Sequence, residues 1–239
     1  MLDEDRRPHA DVLAALPVFP LPNAVLLPGM VVPLNVFEPR YLEMVDHVLD
    51  EGGHLGLPLL RPGYEAEYEG RPAFETVFGI GRMVSHQKLP DGRRFIRVEG
   101  LGRARMVEEL PPRASFRELR VDLLDEPAPD DTHQLEVLKA QLERIGGTLD
   151  ADDQRMVQSV LRIPDARLML YAVTAIMPTL GFWARGQSTS AGRPALLELQ
   201  QRCLTFEDTD GRVTALVECA ASICDSLADS GAWPRRMWN

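Results

Sequence analysis

The 239 residues predict an α+β fold in which a curved β-sheet or pseudo-barrel with one helix precedes an α-helical bundle. Three observations carry this. The N-terminal half alternates short apolar runs with proline and glycine turns, and holds a single stretch of helical period. The C-terminal half repeats its apolar residues every three to four positions. Between the two, Pro127 and Pro129 lie among acidic residues and read as a boundary, so the expected lobes are 12–126 and 131–230.

Leu16–Leu21 (LPVFPL) and Val31–Phe37 (VVPLNVF) are short apolar runs interrupted by proline, which suits sheet edges or a barrel rim. Pro22-Asn23 and Pro28-Gly29 mark turns between them. Pro39 is well placed in a first helical turn, where a missing N–H costs nothing. Tyr41, Leu42, Val45, Val48 and Leu49 then share one helical face, and Gly52-Gly53 ends the helix. His54–Leu60 and Ala73–Ser85 are strand candidates. Inside the second, Gly79-Ile80-Gly81 suggests a bend or the close approach of another backbone. Arg93–Glu99 and Arg103–Glu109 read as a hairpin across Gly100-Leu101-Gly102, with Ile96 and Val98 on one face and Phe95, Arg97 and Glu99 on the other. Arg117–Leu124 is the last expected strand.

In the second half, Asp131 caps a helix carrying Leu135, Leu138, Leu142 and Ile145, and Asp150 opens another with Met156, Val157, Val160 and Leu161. Pro164 separates it from an apolar helix around Leu168–Met177 that Pro178 is expected to close. Gly181–Pro194 reads as a loop, followed by helices over Ala195–Leu204 and Arg212–Leu227.

Composition excludes several classes. No apolar run approaches the ~18–20 residues of a membrane span, and the charged start at Asp3–Arg7 is unlike a secretory signal, so a cytoplasmic location is expected. Cys203, Cys219 and Cys224 form no CxxC pair and read as small apolar residues. The five histidines show no HxxxH spacing, so no metal or cofactor is expected. There is no GxSxG elbow, Ser85-His86 has no identifiable third partner, and Gly79-x-Gly81 lacks the remainder of a dinucleotide fingerprint. A net charge of −10 makes nucleic acid a poor default partner.

The ordered run LPVFPLPNAVLLPGMVVPLNVFEPRY, Leu16–Tyr41, resembles the start of the Lon substrate-binding domain family, with its FPL strand, PN and LPG turns, P-L-x-V-F strand and FEPRY helix start. Glu99–Arg105 (EGLGRAR) is similar to the family's V-x-G-x-x-R-x-R hairpin, while Pro194–Leu197 and Asp210–Leu216 resemble its closing helices. The resemblance implies a PUA-like β-rich lobe followed by a helical lobe. It further implies a role in binding unfolded or extended polypeptide, or a partner protein such as a separate protease or chaperone. Catalysis is not implied. The two lysines, Lys88 and Lys139, have no preceding glycine as a GxxxxGK[ST] phosphate loop requires, and neither falls within the Lon peptidase pattern.

Candidate binding residues follow from both lines. Phe37, Arg40 and Tyr41 form either a recognition corner for an extended peptide or a brace that fixes the helix to the sheet. Met30 and Met83 are flexible thioethers suited to a promiscuous apolar surface, and strand addition at an exposed edge is a candidate mode. The alternative is small-ligand or RNA binding through an arginine-rich strip of Arg93, Arg94, Arg97, Arg103 and Arg105, although Phe95 is the only aromatic inside it. Trp183, Trp233 and Trp238 are candidate partner contacts or core residues.

Overall fold

A computed structural model describes residues 8–68, 70–184 and 193–229. The chain divides into two compact units, Met1–Asp125 and Glu126–Asn239.

The first unit contains a short helix α1 (Ala10–Ala14), strands β1 (Leu16–Val18) and β2 (Val31–Val36), helix α2 (Pro39–Asp50), and strands β3 (His54–Leu57), β4 (Val77–Lys88), β5 (Arg94–Glu109) and β6 (Arg117–Leu124). The sheet order is β2-β5-β4-β3-β1-β6, and β6 returns to pair with β5, so five strands close into a barrel. β5 is long enough to serve two neighbours in succession. Its first half, Arg94–Glu99, pairs with β2, and its second half, Arg103–Glu109, pairs with β6. That leaves β2 as an appended edge strand, with α2 packed beneath it through Tyr41, Met44, Val45 and Val48, in one core cluster with Val36, Ile96 and Val98. A second cluster gathers Leu16, Val18, Phe78, Ile80, Ala104, Leu119 and Val121.

The expected hairpin at Gly100-Leu101-Gly102 is not a reversal. Ile80 pairs with Gly102 and Gly81 with Gly100, which leaves Leu101 as the extra residue of a β-bulge inside one continuous strand. Gly79 and Gly100 are required by a crossing chain. A Cβ on Gly100 would lie 2.2 Å from the Leu27 carbonyl oxygen, and one on Gly79 would lie 1.9 Å from that of Leu26. The Leu26-Leu27 backbone therefore runs over the point where β4 and β5 bend, the close approach that Gly79-Ile80-Gly81 suggested. The true reversal is Leu89–Arg93, where Leu89 N–H donates to Arg93 O at 2.8 Å and Gly92 has φ 87°.

The second unit holds α3 (Thr132–Gly146), α4 (Ala151–Leu161), α5 (Ala166–Ala184), α6 (Arg193–Thr205) and α7 (Thr209–Asp229). Both aspartate caps form: the Asp131 carboxylate accepts from Gln134 N–H, and that of Asp150 accepts from Asp152 and Asp153 N–H. Pro178 does not close its helix. α5 continues through it to Ala184, so the expected loop at Gly181–Pro194 is helical at its start; residues 185–192 lie outside the described residues. Burial explains the continuation, because Met177 and Leu180 flank Pro178 and both are fully buried. α6 and α7 begin earlier than expected, at Arg193 and Thr209. Trp233 and Trp238 lie outside the described residues.

Candidate functional site

The crossing at Leu26-Leu27 launches β2. Gly29 adopts φ 77°, its N–H donates to Gly100 O, and Gly100 N–H donates to Met30 O at 2.8 Å. This last bond sets the ladder's phase. Met30 faces β5 with its carbonyl, so Val32, Leu34 and Val36 also direct their backbone groups to β5, and Val31, Pro33 and Asn35 direct theirs to the open side. Pro33 thus sits where its missing N–H is lost from the free edge rather than from the sheet. The expected strand addition meets an obstacle here: the edge offers only Val31 and Asn35 as donors, with a gap between them.

Side chains follow the same alternation. Val32, Leu34 and Val36 face α2, while Val31, Pro33 and Asn35 face outward, and Phe37 extends their row. On β5 the outward residues are Phe95, Arg97 and Glu99, paired with Asn35, Pro33 and Val31. On β4 they include Ser85 and Gln87. This outer face carries three exposed apolar groups: Phe37 is 62% exposed, Val31 41% and Phe95 38%.

The FEPRY corner is mostly a brace. Glu38 caps α2 without a side-chain cap bond, its carboxylate instead accepting from Tyr68 O–H at 2.6 Å and from Arg40 Nε at 3.0 Å. Arg40 Nη2 also donates to Tyr68 O at 3.1 Å, which ties the β3–β4 connection to the helix start. Burial, followed by the hydrogen bond to Glu38, pushes the Tyr68 phenol up to about 12. Tyr41 is buried, its ring 4.2 Å from that of Phe19. Met83 is half-buried against the same cluster, and Met30 is half-buried at the head of β2. Of the five expected peptide contacts, Phe37 alone is strongly exposed.

The arginine strip is dispersed. Arg103 is buried, its Nη2 donating to Asp125 O at 2.9 Å. Arg94 lies on the inner side and donates to Asp46 of α2 at 2.6 Å. Arg93 is held by Asp91 at 2.7 Å. Arg97 is exposed on the outer face and has no ion-pair partner among the described residues. Arg105 is exposed further along β5, beyond the bulge. Phe37 follows β2 directly, so the parity of the Val31–Phe37 run puts it on the same side as Val31 and Asn35.

The second unit has its own polar cluster. Arg212 is fully buried, with Nε donating to Cys203 O at 2.9 Å, Nη1 to Glu126 Oε2 at 3.2 Å, and its guanidinium stacked 4.3 Å from the Tyr171 ring. Tyr171 O–H donates to Glu126 Oε1 at 2.6 Å. A cavity of about 380 Å³ lies between α3 and α4, lined by Glu143, Gly146, Val157, Leu161 and Arg162 among others. Among the described residues no cluster of three or more His, Cys, Asp or Glu side chains could hold a metal ion, and no helix is long and apolar enough to cross a membrane.

The described residues thus form a closed barrel carrying an appended ribbon, and a helical unit. The family model for the "ATP-dependent protease La (LON) substrate-binding domain" matches residues 15–180, and the chain belongs to that family. Lon protease 2 of Myxococcus xanthus is 27% identical over 135 residues, covering 56% of this chain and 16% of that protein. The Escherichia coli K12 Lon protease is 25% identical over 169 residues, covering 68% and 21%. The chain thus spans about a fifth or less of the length of these curated relatives. Among solved structures, the N-terminal domain of the Mycobacterium avium complex Lon protease is similar with a TM-score of 0.53 at 19% identity, covering 87% of this chain and 98% of that one, a likeness of fold.

Proposed function

We propose that this chain binds unfolded or extended polypeptide through its β-rich unit and performs no chemistry itself. The observation that carries the reading is the family match over residues 15–180, which covers the whole barrel and ribbon. Two features support it. An outer face of the first unit exposes Val31, Phe37 and Phe95 together. Neither lysine lies in a phosphate-loop pattern, which fits binding without chemistry in these residues, with bound polypeptide passed on to a protease or chaperone. A cytoplasmic location fits that role.

RNA binding through the arginine strip is less well supported. Single-strand binding wants a continuous run of phosphate contacts and stacked aromatics, and Arg93, Arg94 and Arg103 are already engaged by the protein's own oxygens. The test is equilibrium binding of the full chain to permanently unfolded, carboxymethylated proteins and to folded controls. Binding to the unfolded forms alone is expected, with no ATP requirement. Indifference to every unfolded protein overturns the reading.

A further inference from the structure

We infer that the outer face of the β2–β5–β4 ribbon selects extended segments that combine aromatic or aliphatic side chains with carboxylates, and grips them by side-chain contact across the face rather than by strand addition at the β2 edge. The inference rests on the polypeptide-binding reading above and specifies its surface and its ligand chemistry.

Three observations converge. The first is geometric. The outward row from Val31 through Pro33 and Asn35 to Phe37 spans about 20 Å at the rise of an extended strand, which matches a segment of six or seven residues. The second is chemical. Apolar groups at Val31, Pro33, Phe37 and Phe95 sit beside Arg97, which the register places between Pro33 of β2 and Ser85 of β4. A guanidinium without a carboxylate of its own, next to exposed rings, complements an acidic and apolar segment.

Arg82 is also exposed and without an ion-pair partner among the described residues, three positions before Ser85 on the same strand. Glu99 shares the outward parity and stands opposite Arg82, so the positive charge of the face centres on Arg97, on a chain of net charge −10. A long polyanion would feel the overall negative charge, whereas a peptide with one or two carboxylates meets chiefly Arg97.

The third observation concerns the edge. Strand addition draws affinity from consecutive backbone hydrogen bonds. Pro33 interrupts the donors at the centre of β2's free side, between Val31 and Asn35, so that source is blunted where a peptide would need it. The flat outer face has no such gap.

The experiment uses the full chain and three fluorescent probes at low ionic strength: an unstructured peptide alternating Phe and Leu with Glu and Ser, its counterpart with Lys for every Glu, and a single-stranded RNA oligonucleotide. The acidic peptide should bind at least about tenfold more tightly than the basic one, and Phe37→Ala, Phe95→Ser and Arg97→Glu should each weaken it by about tenfold, the loss typical of a central contact. Arg97→Glu should in addition move the preference toward the basic peptide. All three substitutions lie on the exposed surface, and circular dichroism checks their folding; using three of them keeps the test intact if one fails to fold. Equal binding of both peptides removes the charge selectivity. Tight acidic-peptide binding that none of the variants alters places the ligand elsewhere and overturns the inference, while leaving polypeptide binding standing. Binding of RNA in preference to both peptides, lost on Arg97→Glu, assigns the face to nucleic acid and also overturns it. Failure to bind either peptide or any unfolded protein removes the underlying reading as well.

Discussion

Replacing Glu126 by alanine perturbs the most enclosed charge in the molecule. Arg212 is fully buried, and its neighbours supply one carboxylate, one carbonyl and the face of the Tyr171 ring. Its Nη2 has no acceptor among the described residues, so the compensation for desolvating the guanidinium depends heavily on Glu126. Glu126→Ala removes that carboxylate and also takes the acceptor from Tyr171 O–H. Leaving a buried charge unpaired costs about 3–5 kcal/mol, a large part of a domain's stability. The double variant Glu126→Leu with Arg212→Met removes both charges and keeps apolar volume against Tyr171, so it should be more stable than Glu126→Ala and fall short of the parent by about 1–3 kcal/mol, the cost of the Tyr171 O–H left without Glu126. The assay is urea unfolding followed by circular dichroism at 222 nm, a signal dominated by the helices of the second unit, with the slope compared between variants to confirm that the midpoint reports stability. A cost below about 0.5 kcal/mol for Glu126→Ala, or a double variant less stable than the single one, would refute the reasoning.

Other outcomes follow from the same structure. Gly79→Ala places a methyl 1.9 Å from the Leu26 carbonyl oxygen, with no flexible side chain to yield, and should destabilise the first unit by about 3 kcal/mol or prevent its folding. Gly146→Ala meets only Val157 Cγ1 at 3.4 Å on a helix, and should be neutral or stabilising by up to about 1 kcal/mol; paired thermal melts compare the two. Hydrogen bonding from Arg167 holds the Asp165 carboxyl well below its usual range. The pair's contribution is therefore complete above the ordinary aspartate value of 3.8 and is lost as pH falls below it. Asp165→Asn should lower stability at pH 7 and flatten the acid limb of a pH–stability profile.

Much of the fold is legible in the sequence because its punctuation is local. Pro39, Gly52-Gly53, Asp131 and Asp150 act on their own backbones, and each of these elements begins or ends close to where its residue type demands. The errors arise where a distant segment intervenes. Gly100-Leu101-Gly102 has turn composition, but Gly100 is required by the Leu26-Leu27 chain some seventy positions earlier, which no local pattern reports. Pro178 has helix-stopping chemistry that tertiary burial of its neighbours overrides. The binding surface is harder still to read. The Tyr41 and Arg40 of the FEPRY corner are occupied in core packing and bracing, so the most recognisable residues are poorly available to a ligand. Phe37, the exposed member of the corner, lies just past β2, whose Asn35 pairs with Phe95 of β5, a neighbour that local sequence does not report.

Hydrogen exchange on the full chain, with and without a saturating unfolded polypeptide, tests the central claim most directly, because it asks both whether polypeptide binds and where. Added protection is expected in residues 31–37 and 82–99, with little change in the helices from Thr132 to Asp229. Protection confined to the helical unit, or none at a polypeptide concentration that saturates binding, would contradict the account.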